Sequence, residues 1–256
     1  MSRKIGKTTA AQLDTYAETL VIELRAMDAR RSLIRPLLED AELQQSLTEK
    51  MLRDSGGAAF QQLTVILVED LIRDIYRLFV DAGKRSISFK NIIRKASSAS
   101  VLQQLRTNFW FRPDKEVRNQ LSFLNEFPET PPNGVNIKTY KNNERIFNDV
   151  FELLWSRSKK ALIELEASAE LVRLKQFRDK HLAHKEMLAS GRGKGAEHLG
   201  SLPFAFSFAS RFADTYIVHA QEVCFLCGST WLNRKSYQAG QLASAYNMWS
   251  AFLNST

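Results

Sequence analysis

Apolar residues recur every three or four positions along most of the chain, which is the spacing of one face of an α-helix. Few segments alternate apolar and polar residues with the two-residue period of a strand. The first helical stretch spans residues 9–34, and Thr8 or Thr9 is available as its N-cap. The pattern therefore predicts an all-α protein whose helices pack as a bundle.

Local signals also predict where individual helices begin and end. A second helical stretch spans residues 58–82, and we expect Gly83 to end it in the C′ position, where glycine tolerates a left-handed conformation. Ser88 is predicted to cap the helix that starts at Phe89. The same apolar spacing predicts further helices over residues 114–126, 143–160, 165–188, 204–228 and 236–253.

The clearest break in the chain is the Pro-rich stretch 128–135. We interpret it as an exposed connection between an N-terminal helical half, residues 1–127, and a C-terminal helical half, residues 136–256. A chain of 256 residues is long enough to bury a large core, so the two halves are expected to form one compact unit.

Composition excludes several classes of protein. With 44% hydrophobic and 25% charged residues, the chain has the balance of an ordinary globular protein. Its two cysteines cannot form the disulfide framework of a small secreted scaffold. The N-terminus lacks the apolar run of a signal peptide, and the uncharged stretch 236–256 is too rich in Ser, Asn and Gln for a membrane span. We therefore expect a soluble cytoplasmic protein without membrane contact.

The net charge of +8 is unevenly distributed. Residues 138–195 carry +5 of it, residues 1–137 carry +3, and residues 196–256 are neutral. A local basic excess favours contact with a polyanion but does not identify one. The uneven distribution directs attention to the chemistry of residues 138–195.

An arginine and two histidines in this basic segment lie on the apolar side of a predicted helix. On a helical wheel Arg178, His181 and His184 fall on that side, whereas Asp179 and Lys180 point away from its centre. Cationic side chains on a buried face are costly unless they are paired or hydrated. The placement indicates a polar cleft or a subunit interface. The alternative is two core histidines bonded to backbone and an arginine paired with a carboxylate of a neighbouring helix.

The segment from Arg178 to His184 reads Arg-Asp-Lys-His-Leu-Ala-His. It resembles the signature of the HEPN superfamily of all-α domains, in which an arginine and a polar residue precede a histidine. Its Arg-Asp-Lys-x-x-Ala-His form is similar to the branch associated with abortive phage infection. The stretches 71–78 and 86–89 also resemble the N-terminal helices of that branch.

The resemblance implies a metal-independent endoribonuclease that needs no cofactor and acts as a homodimer in phage defence or a toxin–antitoxin system. An antitoxin or sensor protein is then an expected partner. By resemblance, Arg178 stabilises the phosphate and His184 acts as acid or base, with Asp179, Lys180 and His181 in support. Which of the two histidines acts stays open. Two alternatives remain: a non-catalytic HEPN-like module that binds RNA or protein, and a structural helical adaptor.

Three cations beside the motif are candidates for contact with an RNA backbone: Lys185, Arg192 and Lys194. The last two belong to the glycine-rich stretch 191–195. This stretch lacks the spacing of a phosphate-binding P-loop, and a mobile surface loop is the ordinary alternative.

Cys224 and Cys227 form a CxxC pair, with His219 five residues upstream. A redox pair and half of a zinc site are the two functional interpretations. Because the pair lies in an apolar helical run and no second CxxC exists in the sequence, we favour core packing.

Two further clusters have an ordinary interpretation that we favour. The aromatic stretch 109–112 predicts a hydrophobic corner of the N-terminal half rather than a surface for base stacking. Glu69, Asp70 and Asp74 form an acidic stripe with Arg73 and Arg77 nearby, which predicts ion pairs on a solvated helix face rather than a divalent-metal site. One of these carboxylates is also a candidate partner for Arg178.

Overall fold

The computed structural model describes residues 9–53, 57–83, 85–110, 144–177, 202–229 and 234–254. Nine helices account for most of these ranges, and no strand occurs within them. They are α1 (Ala10–Glu39), α2 (Ala41–Arg53), α3 (Gly57–Phe79), α4 (Phe89–Ala96), α5 (Ala99–Trp110), α6 (Glu144–Ala167), α7 (Ala169–Phe177), α8 (Leu202–Cys227) and α9 (Arg234–Asn254).

This architecture confirms the predicted all-α fold class. The predicted helix over 114–126 and the connection at 128–135 lie outside the described residues, so the division of the chain at that connection stays a prediction. None of the helices in the described part of the chain is both long and apolar enough to cross a membrane.

Helix α1 starts where the sequence predicts. The backbone N–H of Gln12 donates to Thr9 Oγ1 at 3.3 Å, and the Thr9 N–H donates to Gln12 Oε1 at 3.1 Å. Each side chain thus satisfies a backbone donor that the first helical turn leaves unpaired. Thr9 is confirmed as an N-cap.

The same helix ends later than predicted. It continues past residue 34 and through Pro36 to Glu39. Pro36 is itself buried, as are Ile34 and Leu37 on either side of it. The free energy gained by burying these side chains exceeds the cost of the one backbone hydrogen bond that a proline cannot donate.

Helix α3 ends at Phe79, so the prediction that Gly83 closes it was wrong. The φ angle of Gly83 is not left-handed. Its N–H donates to Asp81 Oδ1 at 2.9 Å, and its carbonyl accepts from Asn91 Nδ2 at 2.6 Å. Gly83 therefore belongs to a loop organised by the buried Asn91 amide, a contact that helix periodicity does not reveal.

Ser88 caps α4 as predicted. Its backbone is extended, with φ −144° and ψ 157°, and its hydroxyl accepts from the Asn91 N–H at 3.2 Å. The hydroxyl also donates to the Asp81 carbonyl at 2.6 Å, which connects the cap to the preceding loop.

The described helices belong to two units, each discontinuous in sequence. Unit 1 comprises Met1–Ile22, Leu78–Glu164 and Ile217–Asn233. Unit 2 comprises Glu23–Arg77, Leu165–Tyr216 and Arg234–Thr256. Each unit draws segments from both sides of the Pro-rich connection.

Aromatic side chains form much of the core of unit 1. The Phe109 ring meets Phe151 and Phe225 edge to face, with centroids 5.8 and 5.4 Å apart. The predicted burial of Phe109 is confirmed, but its ring partners belong to the predicted C-terminal half rather than to the N-terminal half. The rest of the aromatic stretch is not described at side-chain level.

Unit 2 has a core cluster around Trp249. Leu37, Leu47 and Phe60 pack with it, and the Phe60 ring meets the indole edge to face at 6.2 Å. The indole Nε1–H donates to the Leu33 carbonyl at 3.0 Å, so its polar atom is also satisfied.

Gly228 ends helix α8 in a left-handed conformation, with φ +129°. Its N–H donates to the Phe225 carbonyl at 3.2 Å, and the Ser229 N–H donates to the Cys224 carbonyl at 3.1 Å, the paired bonds of a Schellman cap. A methyl group at Gly228 would overlap the Asp14 carboxylate. We expect Gly228→Ala to lower the free energy of unfolding by about 1–3 kcal/mol, measured by denaturant titration.

Gly240 provides the matched control. Gly240 is exposed on helix α9, and a methyl group there would meet no atom within 4 Å. Gly240→Ala should stabilise the protein by about 0.5–1 kcal/mol, because alanine loses less backbone entropy in a helix. If both substitutions change the free energy of unfolding equally, Gly228 is not required for the left-handed end of helix α8.

Candidate functional site

The residues predicted to carry the chemistry lie outside the described part of the chain. These are Arg178, Asp179, Lys180, His181, His184, Lys185, Arg192 and Lys194. Their predicted roles stay predictions. The structure does describe the helix that leads directly into them, α7, which ends at Phe177.

A serine N-cap begins α7. Ser168 Oγ accepts from the Leu171 N–H at 3.1 Å and donates to the Leu165 carbonyl at 2.9 Å. Leu174 is buried one turn before the motif. Its burial agrees with the apolar face predicted for this helix.

The boundary between α6 and α7 differs from the prediction. The sequence predicts an interruption between residues 160 and 165, whereas the helix continues to Ala167 and breaks at Ser168. Ala161 and Leu165 are buried and hold that turn in helical conformation. The break coincides instead with the residue whose hydroxyl can cap the next helix.

Unit 1 contains a polar cluster that the sequence analysis missed. Glu222 on α8 is fully buried. Its Oε2 lies 2.8 Å from His219 Nδ1, and its Oε1 lies 3.2 Å from an Arg157 guanidinium nitrogen on α6. An ionised carboxylate without water needs such partners, because its desolvation is costly.

The imidazole of His219 is oriented by this carboxylate. A carboxylate only accepts, so Nδ1 carries the proton in the bond to Glu222. The backbone of the same residue accepts a hydrogen bond from Ser158 Oγ at 3.2 Å. The packing of α6 against α8 is thus polar at this point.

One sequence signal could have found the cluster. Residues 217–227 contain a single carboxylate, Glu222, within an otherwise uncharged and largely apolar run. A lone charge on a helix that is apolar all round predicts a buried partner. The identity of that partner, Arg157, could not be read from spacing, since it lies far away in the sequence.

Core packing of the CxxC pair is confirmed. Cys224 and Cys227 are free thiols, and both are buried. Burial raises the pKa of Cys224 well above its ordinary value, and the neighbouring Cys227 raises it further. His219 directs its Nδ1 to Glu222. Among the described residues, no group of three His, Cys, Asp or Glu side chains is arranged to hold a metal ion.

The interpretation of residues 69–77 as a solvated face was wrong in part. Glu69 and Asp74 are buried, whereas Asp70 pairs with Arg73 near the surface. Asp74 bonds to Arg30 on α1 and to Arg77 at 3.2 Å. The predicted ion pairing is therefore present, but half of this helix face packs against the rest of unit 2.

Burial raises the pKa of Asp74 above its ordinary value, although Arg30 and Arg77 oppose the shift. The dominant cause is loss of hydration, which disfavours the charged carboxylate. Its two arginine partners, which are themselves partly exposed, offset part of this cost.

Arg31, the neighbour of Arg30 on α1, is a buried cation. Arg31 donates to Asp214 Oδ1 at 2.9 Å and to the Ser210 carbonyl at 3.1 Å, both on α8. Its guanidinium also lies 3.5 Å from the buried Asp28 carboxylate. Unit 2 thus holds α1 and α8 together through a charged group rather than through apolar contact alone.

Comparisons of the chain with models of protein families, with curated proteins and with solved structures find no match.

Proposed function

We propose that the chain is a metal-independent endoribonuclease of HEPN type. The observation that carries the proposal is the Arg-Asp-Lys-x-x-Ala-His segment from Arg178 to His184, which follows directly on the last residue of α7. Two features support it: the all-α fold, and the basic excess of +5 in residues 138–195.

The chemistry uses the substrate's own 2′-hydroxyl as nucleophile. His184 removes the proton from this hydroxyl, the 2′-oxygen bonds to phosphorus, and the bond from phosphorus to the 5′-oxygen breaks. The departing 5′-oxygen takes up a proton from a protonated imidazole, and the products are a 2′,3′-cyclic phosphate and a 5′-hydroxyl. Arg178 presents a planar fork of donors to the phosphate oxygens, on which charge develops.

A homodimer makes this site complete. On the helical wheel of the predicted helix, Arg178 and His184 are about 120° apart, which is awkward for contact with a single phosphate. Two copies related by a two-fold axis allow Arg178 of one chain to act with His184 of the other. Asp179, Lys180 and His181 then support the site, and the three cations Lys185, Arg192 and Lys194 hold the RNA backbone.

The biological setting we propose is phage defence or a toxin–antitoxin system in the cytoplasm, with an antitoxin or sensor protein restraining the activity. A nuclease that cleaves cellular RNA without cofactor has to be restrained in its own host. The dimer and this partner follow from the resemblance of the motif.

The test is incubation of purified protein with total RNA in EDTA. We expect cleavage to continue under chelation, because the acid, the base and the nucleophile all come from imidazole and substrate. End-group analysis should find 2′,3′-cyclic phosphates and 5′-hydroxyls. Tight RNA binding without cleavage would replace this proposal by a non-catalytic binding module, and the absence of both would replace it by a structural adaptor.

A further inference from the structure

Residues 82–113 form a second basic region of the chain, and this region belongs to unit 1. It contains seven Lys and Arg residues and neither Asp nor Glu. Since residues 1–137 together carry only +3, the remainder of that half carries −4. Soluble proteins generally intersperse charges of both signs on their surface. A stretch of this charge without acidic residues is therefore a candidate contact surface for a polyanion.

Two arginines of this region are exposed and form no ion pair among the described residues. Arg85 lies in the loop before α4, and Arg94 lies on α4. The next residue, Lys95, keeps its positive charge, because its Nζ lies over the Tyr16 ring, 4.3 Å from the ring centroid. Arg106 on α5 differs, since Glu152 pairs with it. The unneutralised charge is thus concentrated at α4 and the loop that precedes it.

Hydrogen bonds hold Arg85 beside α4. The carbonyl of the next residue, Ser86, accepts from Asn91 Nδ2 at 3.0 Å, and Asn91 is buried on α4. The Ser86 N–H donates to the Gly83 carbonyl at 3.0 Å, which fixes the loop backbone before Arg85 as well. Asn91 and Arg94 are three residues apart and are therefore neighbours on one face of the helix. Arg85 and Arg94 thus belong to the same side of α4.

The helix that follows α4 adds no opposing charge. Helix α4 packs against α5, and neither helix contains Asp or Glu. Asp81, the preceding acidic residue in the sequence, accepts from the Gly83 N–H at 2.9 Å within its own loop. The exposed positions of α5 include neutral hydroxyl and amide side chains: Ser100, Gln103, Gln104 and Thr107. A ligand that approaches these two helices meets cations and neutral hydrogen-bonding groups.

We infer that the side of α4 formed by Arg85 and Arg94 binds the phosphate backbone of RNA, as a contact surface outside the cleavage motif. The inference rests on the proposed function, which makes RNA the polyanion that this chain meets. Each guanidinium donates two parallel hydrogen bonds to one phosphate, and Lys95 adds charge beside them. Because phosphates carry no base identity, binding at this surface is independent of sequence and decreases steeply with salt.

The experiment measures how tightly the full chain binds a 2′-O-methylated single-stranded RNA, by fluorescence anisotropy in EDTA over a range of NaCl concentrations. The methyl group blocks the nucleophile of the proposed reaction, so binding is measured separately from cleavage. Each phosphate contact to a single strand contributes about 0.7 to the slope of log affinity against log salt. Replacement of both Arg85 and Arg94 by glutamine should therefore reduce the slope by about 1.4 and lower the affinity about tenfold at 0.1 M NaCl.

The matched control removes two other exposed arginines, Arg53 on α2 and Arg211 on α8, both of unit 2. The Arg53→Gln, Arg211→Gln protein has the same net charge as the Arg85→Gln, Arg94→Gln protein. It should keep the slope and the affinity of the unchanged protein. Circular dichroism checks that both keep their helices, and each single substitution at Arg85 or Arg94 should give half of the change in slope.

Three results would overturn the inference. Equal losses of affinity in the two double variants would show that binding follows net charge alone. An unchanged affinity after loss of Arg85 and Arg94 would show that RNA does not contact this side of α4. Tighter binding of duplex DNA than of the RNA, lost in the same variant, would assign the surface to DNA instead.

Cleavage of total RNA in EDTA is scored independently of this binding. Binding that depends on Arg85 and Arg94 without any cleavage would reject the proposed nuclease and keep the α4 surface. Cleavage by the unchanged protein, with full binding retained in the Arg85→Gln, Arg94→Gln variant, would reject the surface and keep the nuclease.

Discussion

Replacement of Arg178 or His184 by alanine is expected to reduce the rate of RNA cleavage by about 10²–10⁴-fold. This is the range for loss of a general acid–base group or of a donor to developing phosphate charge. Both substitutions remove polar atoms and leave good helix formers in place, so helical content should not change. Cleavage of total RNA in EDTA measures the rate, and circular dichroism measures the helices.

His181→Ala is the matched control, because it removes the other imidazole of the same segment. It should retain most of the activity if His184 is the acid or base. A mixture of the Arg178→Ala and His184→Ala proteins tests the dimer, since each mixed pair of chains contains one intact site. Full activity of both single variants would reject the nuclease assignment.

Arg31→Ala is expected to lower the free energy of unfolding by about 3–5 kcal/mol, the range for removal of one partner from a buried ion pair. The side chain of Arg31 is 10% exposed and that of Asp28 is 3% exposed, so the substitution removes a cation that lies 3.5 Å from a buried carboxylate. It also removes the bonds to Asp214 and to the Ser210 carbonyl on α8. Denaturant unfolding, followed by circular dichroism, measures the difference in free energy of unfolding between the variant and the unchanged protein.

Arg35→Ala, one turn further along the same helix, separates burial from charge. Arg35 also pairs with a carboxylate, Glu39, but its side chain is 54% exposed. An exposed ion pair of this kind contributes about 0.3–0.5 kcal/mol to the free energy of unfolding. The change in helix propensity from arginine to alanine is the same at both positions. If the two variants lower the free energy of unfolding by similar amounts, burial is not the reason that Arg31 stabilises the protein.

The starts of α1 and α4 were predicted well, but α2 and α5 were not predicted, and helix ends and interruptions were predicted poorly. Thr9 and Ser88 cap α1 and α4 through hydroxyls that bond to backbone within three residues, an interaction contained in the local sequence. The continuation of α1 through Pro36 goes with burial of that turn, and Gly83 lies in a loop in which its carbonyl accepts from Asn91 Nδ2 on the next helix. Those influences have no local signature.

The charged side chains show the same division. Pairing within residues 69–77 was predictable, because residues three or four apart share a helix face. The burial of Asp74 was not, since its partner Arg30 lies 44 residues away on another helix. Likewise, Glu222 stands out in its apolar run, but only the approach of α6 to α8 identifies Arg157 as its partner.

By itself, the sequence determined that this protein is all helical, where several helices begin, and which segment carries the candidate nuclease chemistry. These properties follow from apolar periodicity and from side-chain bonds to nearby backbone, which act over a few residues. Only the tertiary structure decided which charges are buried, where α1 and α6 end, and which groups meet in the His219 cluster. Arg31 and Asp214, 183 residues apart, show the reason: burial and long-range pairing are set by the packing of helices distant in the sequence.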